Sequence, residues 1–349
     1  MAANEHRTKL LLLQSSPHIV RKDDVPMIMS RVVIALVPVT VFGVFNFGIS
    51  ALLNVAVSVA SAVIGEALFR RITKQELRIK DCSALVSGLL LALVIPPSTP
   101  LWMTALGSLF AVIVAKELFG GIGANVFNPA LAGRAFLLMS FPAALTTWVK
   151  PGGIYSPFYQ FAGSGIVDGA TTATPLGIAK VGLDGISGVT QLIAEMTGGR
   201  SITQTLFLGT HAGCIGETSI LLILLGGVFL LVTKTIDWRA PAAMIASGFI
   251  ASAAFGMGPL SSLLSGGLVF GAVFMCTDYT TTPVSSAGKL IFGLGAGLIT
   301  IVIRKYGNYP EGVMFSILIM NACTPFLNKL LRKKYGFVPV KKPAVGGAK

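Results

Sequence analysis

The segment DGATTATPLG, residues 168–177, places three threonine hydroxyls beside an aspartate in the longest polar stretch of an otherwise apolar chain. A threonine hydroxyl can attack a phosphorus atom and form a phosphoester, provided that a modifying enzyme can reach it. Ala173 gives Thr174 little steric cover, and Pro175 biases the residue before it toward an extended conformation. Gly169 and Pro175 are equally typical of an ordinary turn, which threonines also favour. The segment therefore predicts either hydroxyls that carry a group, which must then be exposed and accessible, or a plain loop.

A second group of candidates consists of ionisable residues in apolar segments, where charge is a functional hypothesis by default. These residues are Glu66, Lys116, Glu117, Arg134, Asp278 and Glu311. Most of them lie near the ends of apolar segments, where contact with lipid headgroups is the alternative explanation. Asp278 is our preferred ion-contacting residue because it lies among the hydroxyls of Thr277, Thr280 and Thr281. The surrounding FMCTDYTTTP predicts a helix break whose backbone and hydroxyl oxygens line an ion path.

Several other patterns favour structural roles. The glycines of GLGAGL, residues 293–298, lie inside an apolar run, where close helix packing explains them better than a dinucleotide site. The four cysteines are scattered without a CxxC pair, so we expect no zinc site and no self-contained iron–sulfur cluster. A cysteine could still contribute to a site shared with a partner chain. His211 and Cys214 are too small a set for a metal site, and no metal is expected.

The composition determines which elements position these residues. Of the 349 residues, 53% are hydrophobic and 12% are charged, and the mean hydropathy is +0.79, far from the values of a soluble domain. Several runs of about 18 or more residues almost lack charge, which is the length that crosses the hydrocarbon of a bilayer. Continuous runs indicate helices rather than the alternating segments of a barrel. We predict an all-α polytopic membrane protein.

Ten transmembrane helices are expected from the apolar runs. Their approximate bounds are 29–48, 50–69, 83–97, 100–118, 126–144, 217–234, 239–257, 260–277, 287–304 and 311–330. They divide the chain into an amino-terminal segment, a first five-helix half, a long loop that carries Thr174, a second five-helix half and a basic tail. The bounds of these five parts are 1–28, 29–144, 145–216, 217–330 and 331–349.

The distribution of lysine and arginine predicts the orientation, because these residues favour the cytoplasmic side. They are concentrated in the amino-terminal segment, in the loop RRITKQELRIKD and in the tail, which share one side of a ten-span protein. Both termini are therefore predicted to be cytoplasmic and the loop 145–216 extracytoplasmic. Arg304 and Lys305 conflict with this assignment, since they end the ninth span on the outer side. The net charge of +13 is mostly this topology signal and attraction to anionic lipid, and no nucleic acid is expected.

The two halves carry matching segments. LVSGLLLALVIPPSTP (85–100) compares with LLSGGLVFGAVFMCTDYTTTP (263–283), at an offset of five spans. An odd offset inverts the topology, so we predict two inverted halves related by an axis in the membrane plane. Such halves enclose sites between interrupted helices, which predicts that Asp278 faces the break at Pro96 and Pro97. Chance similarity between glycine- and proline-rich segments is the alternative.

The spacing Asp168-x-x-Thr171-x-Ala173-Thr174 resembles the Dxx(S/T)xAT signal at which flavin transferases attach FMN to a threonine. In that reaction the threonine hydroxyl attacks the FMN phosphate of FAD, the pyrophosphate bond breaks with release of AMP, and FMN stays attached through a phosphoester. The chain departs from the commoner form of the signal, because Thr172 follows Thr171 where glycine often follows serine. The position of the motif in a predicted extracytoplasmic loop between two helical halves strengthens the resemblance.

Nearly the whole chain resembles the D subunits of the Rnf electron-transport complex. The resemblance includes SSPHI, GGIGANVFNPALAGRAF (120–136), DGATTATPLG, FMCTDYTTTP (274–283) and YPEGVMFSILIMNA (309–322). A related family comprises the B subunits of the sodium-pumping NADH:quinone oxidoreductase. The chain lacks the longer amino-terminal extension expected of those subunits, which favours the Rnf branch.

The resemblance implies a subunit of a complex that couples electron flow between reduced ferredoxin and NAD to movement of sodium ions or protons across a bacterial or archaeal plasma (inner) membrane. It implies covalent FMN on Thr174, with Asp168, Thr171 and Ala173 in the recognition motif, and a second, non-covalent flavin, riboflavin, within the helices. The implied partners are Rnf subunits A, B, C, E and G, an ApbE-type flavin transferase and membrane lipid. The chain has no nicotinamide or ferredoxin site of its own and is not a complete enzyme.

Two other classes of protein stay open. Inverted five-helix halves also describe flavin-free channels and transporters, including urea-channel-like folds, and a structural scaffold would have neither flavin nor conduction. A flavin acceptor at Thr174 distinguishes the redox subunit from both. Covalent yellow fluorescence on the denatured chain is the observation that decides between them.

Overall fold

Every regular element that the structure describes is a helix. The computed structural model describes residues 24–154, 174, 176–177, 201–209, 211–307 and 311–331. By length and composition, four of the described helices can cross a membrane, and two shorter apolar helices accompany them. The prediction of an all-α polytopic membrane protein is confirmed. Asp168, Thr171 and Ala173 lie outside the described residues, as do the first 23 residues of the amino-terminal segment and nearly all of the basic tail.

Helix α1 (Val25–Ile72) runs for 48 residues and is interrupted at Gly48. Gly48 has φ 66° and ψ −146°, a conformation that a residue without Cβ adopts at little cost. The interruption separates the predicted spans 29–48 and 50–69. Two hydrogen bonds of Asn46 hold this bend in place. Its side-chain amide donates to the Gly209 carbonyl, and its backbone carbonyl accepts the Gly153 N–H, each at 3.0 Å.

Apart from the helix Ile202–Leu208, which lies in the predicted loop 145–216, the remaining helices overlap the other predicted spans. They are α2 (Ser83–Leu93), α3 (Leu101–Leu109), α4 (Pro129–Ser140), α5 (Pro142–Leu145), α6 (Ile202–Leu208), α7 (Ile220–Val232), α8 (Arg239–Ala254), α9 (Pro259–Leu264), α10 (Leu268–Phe270), α11 (Ser286–Tyr306) and α12 (Val313–Leu330). Helices α3 and α10 each continue into a π-helical turn, at Phe110–Val114 and Gly271–Met275. Such turns are frequent at functional sites.

The helix breaks predicted at Pro96 and Pro97 and around Asp278 are both present, since residues 94–100 and 276–285 are not helical. A third break, which we did not predict, separates α9 from α10. Gly266 and Gly267 form it with φ angles of 67° and 63°. A Cβ on Gly267 would lie 2.5 Å from Glu217 Oε1, so both the backbone conformation and the close approach require glycine.

Small residues let the helices approach closely, as membrane helices require because lipid provides no hydrophobic drive for their association. A Cβ on Gly88 of α2 would lie 2.8 Å from Ala62 Cβ of α1. A Cβ on Gly293 of α11 would lie equally close to Ala243 Cβ of α8. The packing interpretation of GLGAGL is therefore confirmed.

The cationic groups of Arg304 and Lys305 donate hydrogen bonds to backbone carbonyls of the protein and do not act as loop charges. Arg304 is 2% exposed, and its guanidinium donates to the carbonyls of Ser262, Ser265 and Gly266 at the end of α9. Lys305 donates to the Phe255 carbonyl at 2.9 Å. These contacts remove the conflict with the predicted orientation, because the charge bias applies to residues that face the aqueous loops.

Candidate functional site

Thr174 lies two residues before Leu176, which packs against the break between α9 and α10. Its hydroxyl oxygen accepts the Gly177 N–H at 3.0 Å, which closes a short turn. Leu176 is buried and packs on Gly266, where a Cβ would lie 2.9 Å from Leu176 Cδ2. Thr174 is only 8% exposed, so the expectation of an exposed acceptor hydroxyl is wrong for this arrangement of the segment.

A cavity of about 300 Å³ lies between residues of the first and second halves. Its walls are mostly apolar side chains of α1, α2 and α7 together with Phe274. Polar groups converge on it from both halves: Ser83, Ser87, Lys116, Asn125, Asn128, Thr277, Asp278 and Thr280. Pro96 and Pro97 are not among the described residues that line it, so the partners of Asp278 across the cavity differ from those that the repeat predicted.

Asp278 is a carboxylate surrounded by hydroxyls, as predicted. Its Oδ2 oxygen accepts hydrogen bonds from the hydroxyls of Thr280 and Thr281 at 3.2 and 3.1 Å. Thr277 instead donates to the Val273 carbonyl at 2.6 Å. Within the described part of the chain, no lysine or arginine nitrogen lies within 4.0 Å of this carboxylate. Asp278 also lines a second cavity of about 220 Å³, whose wall includes Asp237 and Lys289, so it lies between two spaces.

Four charged side chains form a buried network beside the larger cavity. Lys116 Nζ lies 3.1 Å from Glu66 and 3.8 Å from Glu117, and Arg70 Nε lies 3.4 and 3.1 Å from the same two acids. All four are at most 3% exposed. The alternative explanation that these acids contact lipid headgroups is therefore wrong. Lys116 also donates to the Ser83 hydroxyl at 2.5 Å and connects the network to the cavity wall.

A second buried group lies between the helix breaks and was not predicted from the sequence. This inter-break cluster consists of Arg134, Cys214, Glu217, Arg304 and Glu311. Arg134 pairs with Glu311 and also lies 3.5 Å from Cys214 Sγ. Ligand atoms of Cys214, Glu217 and Glu311 lie within 4.8 Å of one another, a spacing that a metal ion could bridge. The positive charges of Arg134 and Arg304 would repel a metal ion bound in this cluster.

Residues 211–219 hold the cluster in place because they donate hydrogen bonds to backbone carbonyls at the carboxyl end of α2. The N–H groups of Ile215 and Gly216 donate to the carbonyls of Ile95 and Leu93 at 3.3 and 2.7 Å, and the Cys214 thiol donates to the Val94 carbonyl at 3.0 Å. These carbonyls belong to the helix end, where they have no partner within the helix. The segment therefore joins the break after α2 to Gly267, which contacts Glu217.

The fold and its sites define a polytopic helical membrane protein whose interrupted helices enclose cavities and buried charge. Within that class, the chain belongs to the NQR2, RnfD, RnfE family, whose model matches residues 12–336. The resemblance inferred from the motifs is thereby confirmed.

Individual relatives match almost end to end. A Clostridium ljungdahlii protein named as the D subunit of a proton-translocating ferredoxin:NAD(+) oxidoreductase complex is 42% identical over 96% of this chain and 99% of its own length. The corresponding Acetobacterium woodii protein, named for the Na(+)-translocating complex, is 40% identical over 96% and 98%. A Stutzerimonas stutzeri protein, named as the D subunit of an ion-translocating oxidoreductase complex, is 40% identical over 93% and 96%. Relatives named for proton and for sodium translocation are thus about equally similar.

Proposed function

We propose that this protein is the D subunit of an ion-translocating ferredoxin:NAD(+) oxidoreductase complex. The observation that carries the proposal is the near-complete match to relatives with that name. The flavinylation-like motif at Thr174 and the carboxylate between two cavities support it independently. The chain is then one membrane subunit of an oxidoreductase, and its partners are Rnf subunits A, B, C, E and G.

In this proposal Thr174 carries FMN through a phosphoester, attached by an ApbE-type transferase. The flavin supplies one-electron and two-electron redox chemistry at the outer face of the membrane. The chain positions it, because Leu176 anchors the segment to the turn at Gly266. The buried Arg304, which binds that turn, offers positive charge close to an anionic group on the segment.

The second, non-covalent flavin of the proposal fits the larger cavity. A volume of about 300 Å³ lies at the lower end of the range for small-molecule sites, which are mostly apolar with a few convergent polar groups. The apolar walls match the faces of a planar ring system. Asn125, Asn128 and Ser87 can hydrogen-bond its polar edge, and Phe274 lies on the same wall.

Asp278 and its hydroxyl neighbours are the proposed ion-contacting residues. A flavin bound in this cavity would gain negative charge on reduction in a low-dielectric setting, where uncompensated charge costs several kcal/mol. A cation bound at Asp278 offsets that cost, so electron occupancy and ion occupancy become reciprocally linked. Asp278 suits this role because, among the described residues, no cationic side chain neutralises it.

The location follows the charge distribution. We place the protein in the plasma (inner) membrane of a bacterium or archaeon, with both termini in the cytoplasm and the Thr174 segment outside. The clustering of lysine and arginine in the tail and in the loop after the second span supports this orientation.

Peptide mass analysis of the protein from a host that has the flavin transferase tests the proposal. The mass of FMN on Thr174, and covalent yellow fluorescence of the denatured chain, are the expected results. Thr174→Ala should abolish both, whereas Thr172→Ala, one hydroxyl removed within the same motif, should retain them. FMN on another threonine, or an unmodified chain, would contradict the assignment and favour a flavin-free channel or scaffold.

A further inference from the structure

Glu217 differs in its pairing from three other glutamates inside the protein. Glu66, Glu117 and Glu311 each have a lysine or arginine nitrogen within 4.0 Å. Among the described residues, no such nitrogen lies that close to the Glu217 carboxylate, although Glu217 is only 7% exposed. Both arginines of the inter-break cluster bond elsewhere, Arg134 to Glu311 and Arg304 to three backbone carbonyls.

Glu217 and the segment that carries the proposed flavin acceptor contact the same two-glycine turn. Two residues after Thr174, Leu176 packs on Gly266, and the next residue of the turn, Gly267, packs on the Glu217 carboxylate. The Gly266 carbonyl accepts a bond from Arg304 at 2.8 Å, which fixes the turn between them. A change of charge on the Thr174 segment can therefore act on Glu217 through this two-residue turn.

We propose that Glu217 binds one proton when the flavin on Thr174 accepts an electron, and releases it when the electron leaves. The inference rests on the proposed function and goes beyond it by naming the compensating residue for the outer flavin. The electron comes from reduced ferredoxin through the partner subunits, and the proton comes from water and returns to it. At the carboxylate, only an O–H bond forms and breaks.

The surrounding charges explain why a bound proton compensates the electron. With Glu217 ionised, the cluster contains two positive and two negative side chains, from Arg134, Arg304, Glu217 and Glu311. Protonation of Glu217 leaves one net positive charge, which offsets the one negative charge added to the flavin. The Cys214 thiol lies on the same segment as Glu217. The His211 imidazole is also near: a Cβ built on Gly213 would lie within 4 Å of both the imidazole and the Glu217 carboxylate.

A proton fits this site better than a metal ion. Gly267 packs directly on Glu217 Oε1, where even a Cβ would approach to 2.5 Å, so that oxygen has little room for a coordination shell. The two arginines repel a metal cation at this distance. A proton requires neither space nor further ligands.

The test measures the midpoint potential of the covalent FMN as a function of pH in the assembled complex, and compares the wild type with Glu217→Gln. One proton bound per electron corresponds to about 59 mV for each tenfold change in proton concentration. Glutamine stays neutral like the protonated acid, so the potential of the variant should exceed that of the wild type by an amount that grows as the pH rises. Glu66→Gln, the same change in the other buried network, should follow the wild-type pH dependence.

A difference between wild type and Glu217→Gln that does not change with pH overturns the proposal. If the variant does not assemble, redox-difference infrared spectra of the wild type decide. Reduction should produce a protonated-carboxyl band that shifts when glutamate is labelled with ¹³C at the side-chain carboxyl, and no glutamate band contradicts the role of Glu217. Absence of FMN from Thr174 defeats the proposed function itself, whereas FMN without these signals defeats this inference alone.

Discussion

The Lys116 ammonium lies 3.1 Å from the Glu66 carboxylate although the two side chains are at most 3% exposed. With Arg70 and Glu117 they form a neutral network of two acids and two bases. A buried ion pair adds little net stability compared with apolar residues, but removal of one partner leaves a charge without compensation. The network is therefore sensitive to single substitutions.

Lys116→Met should destabilise the protein by about 3–5 kcal/mol, the usual cost of breaking a buried pair. Lys289→Met is the matched control, since Lys289 pairs with Asp237 at 3.0 Å where both side chains are about one-quarter exposed. Such pairs contribute roughly 0–1 kcal/mol. Thermal unfolding in detergent measures both variants. Equal losses of stability in the two variants would show that the Lys116 network contributes no more to stability than the Lys289–Asp237 pair.

Gly267→Ala should destabilise the protein more than Gly256→Ala. Both glycines have positive φ angles, 63° and 71°, so both substitutions carry a backbone cost of roughly 1–2 kcal/mol. A Cβ at Gly256 meets nothing within 4 Å, whereas one at Gly267 meets Glu217. The difference between their melting temperatures therefore isolates the packing on Glu217. Identical melting temperatures would mean that this contact relaxes without cost.

The pH dependence of stability should include a contribution from Asp237. Burial opposes ionisation of this residue, but the Arg239 backbone N–H and the Lys289 ammonium outweigh it and hold the pKa of Asp237 below its usual value. The stabilisation is therefore present above the ordinary carboxyl pKa, about 3.9, and is lost as the pH falls through the lower folded value. Unfolding of Asp237→Asn and wild type should differ at pH 7 and converge in strong acid. A constant difference would exclude this linkage.

Much of the fold could be predicted from the sequence because the bilayer imposes a local requirement. Each apolar run must form a helix, and the prolines and hydroxyls near residues 96 and 280 favour breaks. The Asp278 site was predictable for the same reason, since its partners are two and three residues away. The break at Gly266 and Gly267 was missed because glycines in an apolar run equally suit helix packing.

The buried ion pairs could not be predicted, because their members are distant in sequence. Arg134 and Glu311 are 177 positions apart, and Lys116 lies 50 positions from Glu66. Only the packing of helices brings such residues together, and one sequence does not specify it. Glu217 had a weak signal, as an acid at the start of an apolar run without a basic neighbour.

The orientation of the chain can be tested with a reporter that is active only outside the cytoplasm. Fusion near Ser164 should give an active reporter and fusion after Lys334 a silent one, because the basic segments keep the tail in the cytoplasm. A reporter enzyme active only in the cytoplasm, fused at the same positions, is the control and should give the opposite pattern. The reverse result from both reporters would place the Thr174 segment in the cytoplasm and overturn the ten-span topology.

Asp278→Asn should lower ion transport more than electron transfer. Asparagine retains an oxygen for Thr280 and Thr281 and caps a helix about as well as aspartate, so the change removes charge and little else. Without the charge, cation binding at this position no longer compensates the electron. Asp237→Asn is the control, because Asp237 lines the smaller cavity but is already neutralised by Arg239 and Lys289. Its ratio of ions to electrons should equal that of the wild type.

The measurement follows ferredoxin-to-NAD electron flow and ion uptake together in sealed vesicles that contain the assembled complex. A linkage between electron and ion occupancy predicts that the ratio falls in Asp278→Asn while residual electron flow persists. If Asp278 only caps the helix break, electron flow and ion uptake should both stay near the wild-type level, because asparagine supplies the same cap. An unchanged ratio in assembled Asp278→Asn would therefore make Asp278 a structural residue and require the ion path to pass elsewhere.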